Sequence, residues 1–415
     1  MSHADEPIEP SKQPVSPRAE FTIYASGMLT DSQAELIGFL IPLWAVMLGL
    51  SPLEIGFLVS AKSLLPGILA IHGGVLMDRY GTRLVMILMG IAGALLPPVF
   101  AISTWFPALI LLQMAVGTAM SFTWIGAQSL AVEAGKNKPA IVGRFAFFAR
   151  VGVMIAPIMA GVLWDFVAPW VAFAVIGVVG IAFLIAVRAV PVSEVGAARV
   201  DIASRPDFRI SHLMPKLSDY IGAAGLLVIP AVAFVVVVSS VRIVSATMQQ
   251  SFYIIYLEQL GLKATAIGGF LTLSQMMAAC GTLLAAHLTR FIPPNWVFLG
   301  AVCLSIFFVF STPLYGDAFF VLAVAIGIRG LCQGISQPVM YRILSNAVSP
   351  ETQATAIGLR ATGNRVANLM LPVFMGAIAQ FWGLNATFYV TGTLMLSILA
   401  GMGIWVAFGK ASPKS

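Results

Sequence analysis

A chain of 415 residues in which 59% of the side chains are hydrophobic and only 10% are charged is too apolar for a soluble globular protein. The net charge of +6 comes from basic residues scattered among the segments between apolar runs, which argues against a nucleic-acid-binding face. The composition therefore predicts a membrane protein embedded in a lipid bilayer.

The chain opens with a polar segment, residues 1–21, that lacks the apolar block and cleavage site of a secretory signal, so it is expected to remain as a tail. Apolar runs of about 20 residues, the length that crosses the hydrocarbon as a helix, then recur along the chain. No strand-like alternation competes with them, which predicts an all-α membrane protein. The predicted transmembrane helices are 22–49, 53–77, 84–104, 107–131, 141–163, 169–190, 226–256, 264–289, 294–314, 317–343, 356–379 and 384–408.

Lys and Arg concentrate in the connections on one side of the predicted bundle, whereas the connections on the other side carry mostly acids. Basic connections tend to stay in the cytoplasm. Both termini, including the short tail 409–415, are therefore predicted to be cytoplasmic, in a multi-pass protein of the cell (inner) membrane.

The segment 191–225 is the longest polar stretch between spans, and it divides the chain into residues 22–190 and 226–408. It is interpreted as a cytoplasmic linker between two equivalent six-helix bundles. A fixed shift along the sequence supports this interpretation, because it aligns the fifth and sixth spans with the eleventh and twelfth without a gap. The aligned pairs include Arg150 with Arg365, Pro157 with Pro372, and Gly161 with Gly376.

Glycines and charges interrupt the apolar sequence between the second and third spans, in a segment predicted to be a cytoplasmic turn. Together with the twelve spans, the linker and the repeated halves, this segment resembles the major facilitator superfamily over the whole chain apart from the tails. The resemblance implies two pseudo-symmetric six-helix bundles and a secondary transporter that acts as a monomer. The residues that fit the family pattern G-x-L-x-D-R-x-G-x-R are Gly74, Leu76, Asp78, Arg79, Gly81 and Arg83.

The resemblance also implies a partner for Asp78 on the eleventh span, either Arg360 or Arg365. Such a pair would hold the two halves together on the cytoplasmic side and break when that side opens. The alternative is a solvated basic turn that serves only orientation; the latch is favoured because the matching glycines allow close helix approach. The predicted gating residues are Gly74, Asp78, Arg79, Gly81, Arg83, Arg150, Arg360 and Arg365.

The fifth span, from Gly152 to Gly161, resembles the glycine- and proline-rich motif of proton-coupled antiporters in this superfamily, although Ala156 and Ala160 replace two of its glycines. Small residues still permit tight helix contact. Gln113 stands where antiporters often carry an arginine, which argues against proton transfer at that position.

Five ionisable residues lie at or near mid-depth in predicted spans, where charge is costly and marks a pathway by default: Asp31, Glu35, Lys62, Arg242 and Arg329. Asp31 and Glu35 share one helix face, and two neighbouring negative charges favour protonation of at least one of them. These carboxylates are therefore predicted to accept protons. A permanent ion pair of Glu35 with Lys62 remains the alternative. Arg242 and Arg329 offer forked donors for a carboxylate or phosphate group.

The family resemblance implies that spans one, four, seven and ten line a central cavity, with span two beside them. The intramembrane bases outnumber the acids, which favours an anionic or zwitterionic solute, although two ion pairs and one extra base would give the same count. The predicted substrate-binding residues are Lys62, Trp124, Arg242, Gln249, Arg329, Gln333, Gln337 and Tyr341.

The leading hypothesis is a proton-coupled transporter, a symporter or antiporter, that moves a small-molecule substrate by alternating access. A multidrug/proton antiporter that exports lipophilic compounds is the alternative. A channel or receptor is disfavoured by the resemblance. The sequence carries no phosphate loop, hydrolase motif or metal-ligand spacing, so neither an ATP-driven pump, nor an enzyme, nor a cofactor is expected.

Overall fold

The computed structural model describes residues 16–135, 138–190 and 225–408, and this part of the chain is helical. The predicted linker, apart from residue 225, and the tail 409–415 lie outside the described residues, as does most of the first tail. The helices are α1 (Pro17–Met47), α2 (Pro52–Tyr80), α3 (Thr82–Val99), α4 (Phe106–Gly135), α5 (Ala140–Phe166), α6 (Pro169–Ala189), α7a (Pro230–Gln249), α7b (Phe252–Gln259), α8 (Ala264–Phe291), α9 (Pro294–Phe310), α10 (Phe319–Ala347), α11 (Pro350–Trp382) and α12 (Leu384–Ala407).

With α7a and α7b counted as one broken span, the described helices form twelve spans in two six-helix bundles, α1–α6 and α7–α12. The end of the molecule at which α1 begins and α12 ends is called the terminal face below, and the other end the opposite face. By length and composition, nine helical stretches among the described residues could cross a membrane. Helices α1, α9 and α11 are not among them: α9 has only 17 residues, and α1 and α11 carry several of the charged residues discussed below.

The boundary between α2 and α3 differs from the sequence prediction. The segment around Gly74 and Asp78 was expected to form a turn, but α2 continues to Tyr80. Gly81 alone makes the turn, with a φ of 91° that only glycine adopts easily. The charged motif therefore lies on the last turns of α2 rather than in a loop.

The seventh span is also not the continuous helix predicted over 226–256. A 3₁₀ turn (Leu226–Val228) precedes α7a, and the helix breaks at Gln250 and Ser251. The Ser251 hydroxyl donates to the carbonyl of Thr247 at 2.6 Å, a side-chain bond that competes with regular helix geometry. The break releases the side chain of Gln250 toward the other half of the molecule.

The two halves meet through the helix pairs α5–α8 and α2–α11 near the opposite face. A Cβ atom added to Gly161 would lie 2.4 Å from the carbonyl oxygen of Ala264, and one added to Gly376 would lie 2.5 Å from that of Pro52. Glycine is thus required at both positions for the helices to approach this closely. These two glycines are partners in the internal repeat, so the same contact is built twice.

The α5–α8 contact carries one feature that the α2–α11 contact lacks. The carboxylate of Asp165, near the end of α5, accepts hydrogen bonds from the backbone N–H groups of Ala264 at 3.2 Å and Thr265 at 2.7 Å. Helix α8 has no side-chain cap from its own N-cap residue. By contrast, α2 is capped within its own half by a Ser51–Glu54 capping box. One of these two contacts is therefore capped by a side chain of the other half.

Replacing Asp165 by Ala removes this cap, and loss of a helix cap costs about 0.5–2 kcal/mol. We expect the halves to separate more often at the opposite face. Spin labels at Val167→Cys and Gln259→Cys, in a background without the native cysteines, should report a larger population at long distance. Asp317→Ala removes an exposed acid on the same face and should leave the distances unchanged; identical distributions in both variants would contradict the role of the cap.

Candidate functional site

The orientation of α1 determines where its two carboxylates point. Gln33 is buried, and its side-chain amide donates to the carbonyl oxygens of Gly93 in α3 at 3.1 Å and Ile176 in α6 at 3.0 Å. Residues two apart lie on nearly opposite sides of a helix. Anchoring Gln33 against α3 and α6 therefore turns Asp31 and Glu35 toward the interface between the halves.

Two adjoining cavities lie from mid-depth toward the terminal face, and both are lined by Asp31 and Trp124. The central cavity has a volume of about 290 Å³, and the side cavity, which extends between α4 and α5, about 450 Å³. Both volumes are near the range of small-molecule sites. Besides the shared pair, the central cavity is lined by Lys62, Ser121, Arg365 and Asn368, and the side cavity by Gln128, Phe145 and Arg150.

Glu35 connects the halves directly. Its carboxylate accepts a hydrogen bond at 3.3 Å from the side-chain amide of Gln250, at the break in the seventh span. Glu35 also lies within electrostatic reach of Lys62 and Arg329. The ion pairs closer than 4.0 Å between side chains that the structure describes all involve Glu20, so Glu35 and Lys62 do not form the direct pair considered from the sequence.

Arg329 is fixed by neighbours within its own half. It is 4% exposed and donates to the hydroxyls of Ser245 and Ser274 at 3.3 and 3.2 Å, and to the side-chain oxygen of Gln249. These contacts occupy much of the hydrogen-bonding capacity of its guanidinium group. Two predicted substrate residues, Arg329 and Gln249, are thus bonded to each other.

Arg242 differs from Arg329 in having no hydrogen-bond partner among the described residues. It is 8% exposed, and its Nε atom is buried and unbonded. Arg360 lies close enough to interact with it electrostatically. Arg360 is also buried; it donates to the hydroxyl of Tyr341 at 3.3 Å and lies over that ring, while its own Nε is unbonded.

The repeat partners Arg150 and Arg365 occupy different environments. Arg150 lines the side cavity and reaches across the interface to Gln275 of α8 at 3.5 Å. Arg365 lines the central cavity with Asn368, whose side-chain oxygen accepts from Thr247 at 3.0 Å. Arg150 contacts the other half, whereas Arg365 lies beside the predicted substrate residues Lys62 and Trp124, and the gating role of both stays a prediction.

The motif at the end of α2 is only partly described. The side-chain environments of Gly74 and Asp78 lie outside the described part of the chain, so the latch with Arg360 or Arg365 stays a prediction. Arg79 is exposed, with its guanidinium group near the ring of Tyr80. Arg83 donates to the carbonyl of Arg188 at the end of α6, a contact within the first half.

Polar residues of α10 follow one face of that helix. Gln333, Gln337 and Tyr341 are spaced four residues apart, and they pass from partly buried to exposed toward the terminal face. Arg329 continues the same stripe on its deeper side. The four predicted substrate residues of α10 therefore form a polar track from mid-depth toward the terminal face.

Several residues in these networks were not selected from the sequence as site residues. Ser245 and Ser274 accept from the buried Arg329, Gln275 accepts from Arg150, and Asn368 accepts from Thr247. Their only sequence signal is a polar side chain inside an apolar run, which is more often an ordinary helix contact. Among the described residues, no group of three His, Cys, Asp or Glu side chains could hold a metal ion.

Comparison with solved structures identifies proteins of the same fold. A crystal structure of a point mutant of the nucleoside transporter NupG has a TM-score of 0.75 at 12% identity, covering 93% of this chain and 99% of that chain. The peptide transporter POT in complex with sulfate gives 0.74 at 14% identity, covering 94% and 95%. A bacterial homologue of the human lysosomal transporter Spinster, in an inward-facing and unoccupied conformation, gives 0.71 at 16% identity, covering 95% and 97%.

Similarity in sequence identifies the family. A search among proteins of curated function found no match. The sequence model of the Major Facilitator Superfamily, however, matches residues 23–328 and 235–415, which together span nearly the whole chain. The chain therefore belongs to the Major Facilitator Superfamily, and it is a membrane transporter rather than an enzyme.

Proposed function

We propose that this secondary transporter is driven by protons and moves a small organic solute, anionic or zwitterionic, by alternating access. Its terminal face would lie in the cytoplasm, as the basic connections indicate. The observation that carries the proposal is the hydrogen bond between Glu35 of the first half and Gln250 of the second, beside a cavity lined by Asp31. An ionisable group at the moving interface is placed where its protonation can affect the motion.

Alternating access fits the distribution of contacts between the halves. The close α5–α8 and α2–α11 contacts lie toward the opposite face, whereas the cavities extend toward the terminal face. Rocking of one half against the other would separate these contacts and expose the same residues from the other side. NupG and POT, which share this fold, transport nucleosides and peptides, and the central cavity here is of a size for a small organic solute.

Coupling to protons requires that protonation change the relative free energies of the two states. In the state described here, the Glu35 carboxylate accepts from Gln250 and lies near the positive charges of Lys62 and Arg329. Separation of the halves would remove Gln250 and Arg329 from Glu35. The ionised carboxylate therefore favours the present arrangement, and protonation favours leaving it.

We expect Glu35→Gln and Asp31→Asn to abolish solute-driven proton movement. Proteoliposomes that contain the native protein and the pH dye pyranine are first screened with organic anions, zwitterions and lipophilic cations. A solute whose addition changes the internal pH is then used to test the variants. The variants should move that solute by counterflow without moving protons, because a neutral amide cannot release a proton.

Glu258→Gln and Asp317→Asn, near the opposite face, are matched controls and should behave as the native protein. Full proton movement in both test variants would contradict the assignment of the carboxylates. Proton movement driven only by lipophilic cations would favour the multidrug antiporter over the proposed transporter.

The class of solute follows from the charges at and near the cavities. The acids there are Asp31 and Glu35, whereas the bases are more numerous: Lys62, Arg150, Arg242, Arg329, Arg360 and Arg365. A solute with a negative group would reduce this excess, and a cation would increase it. The proposal therefore favours an anion or a zwitterion.

Lys62→Gln should raise the KM for an anionic solute by roughly tenfold or more, since hydrogen bonds to charged groups contribute about 1.5–3 kcal/mol. Uptake of the solute by proteoliposomes over a range of concentrations measures the change. Arg290→Gln removes an exposed base at the terminal end of α8 and should leave the KM as it is. An equal KM in native protein and Lys62→Gln would show that this amine does not contact the solute.

A further inference from the structure

Two buried arginines in the second half of the molecule lack the contacts that normally accompany a buried charge. Arg242 of α7a and Arg360 of α11 are 8% and 9% exposed, and the Nε atom of each is buried without a hydrogen-bond partner among the described residues. Arg242 makes no hydrogen bond at all within the part of the chain that the structure describes. Buried charges are usually paired or fully hydrogen-bonded, because an uncompensated charge in a low-dielectric medium is costly.

The two guanidinium groups also lie within electrostatic reach of each other. Arg242 interacts electrostatically with Arg360 and with Tyr341, and Arg360 donates to the Tyr341 hydroxyl at 3.3 Å. A third base, Arg150 of the first half, lies within electrostatic reach of Arg242. The cluster thus gathers like charges, and no carboxylate among the described residues forms an ion pair with any of them.

Arg329 provides a comparison within the same half. It is as deeply buried, but two serine hydroxyls and one amide oxygen accept its N–H groups. The fold can therefore supply neutral hydrogen-bond acceptors to a buried guanidinium group. Around Arg242 the described residues supply no such acceptor, which leaves its N–H groups available to a ligand.

We propose that Arg242 and Arg360 form a binding site for an oxyanion, the carboxylate or phosphate group of an organic anion. A guanidinium group presents forked donors that match the oxygens of such a group, and two of them can hold it from adjacent sides. The phenol of Tyr341 lies against Arg360 and is 39% exposed, so it forms the open side of the site. This inference rests on the proposed function, since it specifies the group by which the transported solute is recognised.

The depth of the site in the membrane determines when an arriving anion would meet it. Counted along their helices at about 1.5 Å per residue, Arg242 and Arg360 lie roughly 15–18 Å from the terminal ends of α7a and α11. Glu35 and Lys62 lie about 27 Å from the terminal ends of α1 and α2. The arginine pair is thus nearer the terminal face than the central carboxylate, and an anion meets it first when arriving from that face.

The test measures anion binding by the full-length protein in detergent, without a membrane or a proton gradient. Thermal unfolding is followed by tryptophan fluorescence in increasing inorganic phosphate or succinate, with choline chloride holding the ionic strength constant. We expect saturable stabilisation of the native protein by at least one of these probes. Arg242→Gln and Arg360→Gln should weaken the apparent affinity by roughly tenfold or more, because each removes one forked donor.

A second readout separates a binding role from a packing role. Without added anion, Arg242→Gln should unfold at the same temperature as the native protein or higher, because it removes an uncompensated buried charge. Arg290→Gln, an exposed arginine at the end of α8, is the matched control and should keep the native response to anions. Arg242→Lys keeps the charge without the fork and should recover only part of the affinity.

Three outcomes would overturn the proposal. These are an anion affinity unchanged in both Gln variants, a strong loss of stability in Arg242→Gln without anion, and stabilisation by phosphatidylglycerol vesicles but not by phosphate or succinate. The last result would assign the cluster to a lipid headgroup instead of a solute. Because no proton gradient is used, a transporter that is not coupled to protons would still pass this test, so the two proposals fail independently.

Discussion

The energy of charge in a low-dielectric medium is the constraint that organises this molecule. Most of the chain consists of apolar helices, yet acids and bases converge between its two halves near mid-depth. Each of these groups must find a partner, reach water through a cavity, or bind a ligand. Arg329 has partners, since neighbouring hydroxyl and amide oxygens accept its N–H groups. Asp31 reaches water, since it lines both cavities. Arg242 has no hydrogen-bond partner among the described residues and lines neither of the two cavities, and this difference is more informative than the number of charges.

The architecture around these charges repeats one packing solution with unequal details. Gly161 and Gly376, which are aligned by the internal repeat, each allow a helix of the other half to approach to backbone contact. The helix end at the first contact is capped by Asp165 from across the interface, whereas that at the second is capped within its own half. The two contacts are therefore packed alike. Opening the first would break the Asp165 cap, whereas opening the second would leave the Ser51–Glu54 capping box intact.

The sequence was sufficient to predict the helices, the two bundles and the family, because these depend on the length and spacing of apolar runs and on a short motif. It did not predict the break at Gln250, which depends on a serine hydroxyl bonding one turn back and not on glycine or proline. The sequence also led to the same predicted role for Arg242 and Arg329, since both are arginines near mid-depth in their predicted spans. Their hydrogen bonding differs because Ser245, Gln249 and Ser274, which belong to two helices, accept from Arg329. Pairings of this kind depend on helix rotation, about which a single apolar sequence carries little information.

The division of charge between the halves gives a physical account of coupling in the proposed transporter. The two carboxylates, Asp31 and Glu35, lie on α1 of the first half, whereas Arg242, Arg329 and Arg360 all lie in the second. A proton neutralises an acid on one side, and an anion neutralises a base on the other. With neither bound, Arg242 keeps an uncompensated buried charge, and the ionised Glu35 keeps its contacts with the second half. An anion on Arg242 would compensate that charge, and a proton on Glu35 would weaken its attraction to Arg329 and its hydrogen bond from Gln250. In the proposed transporter, the solute and the proton would therefore act from opposite halves on the same movement.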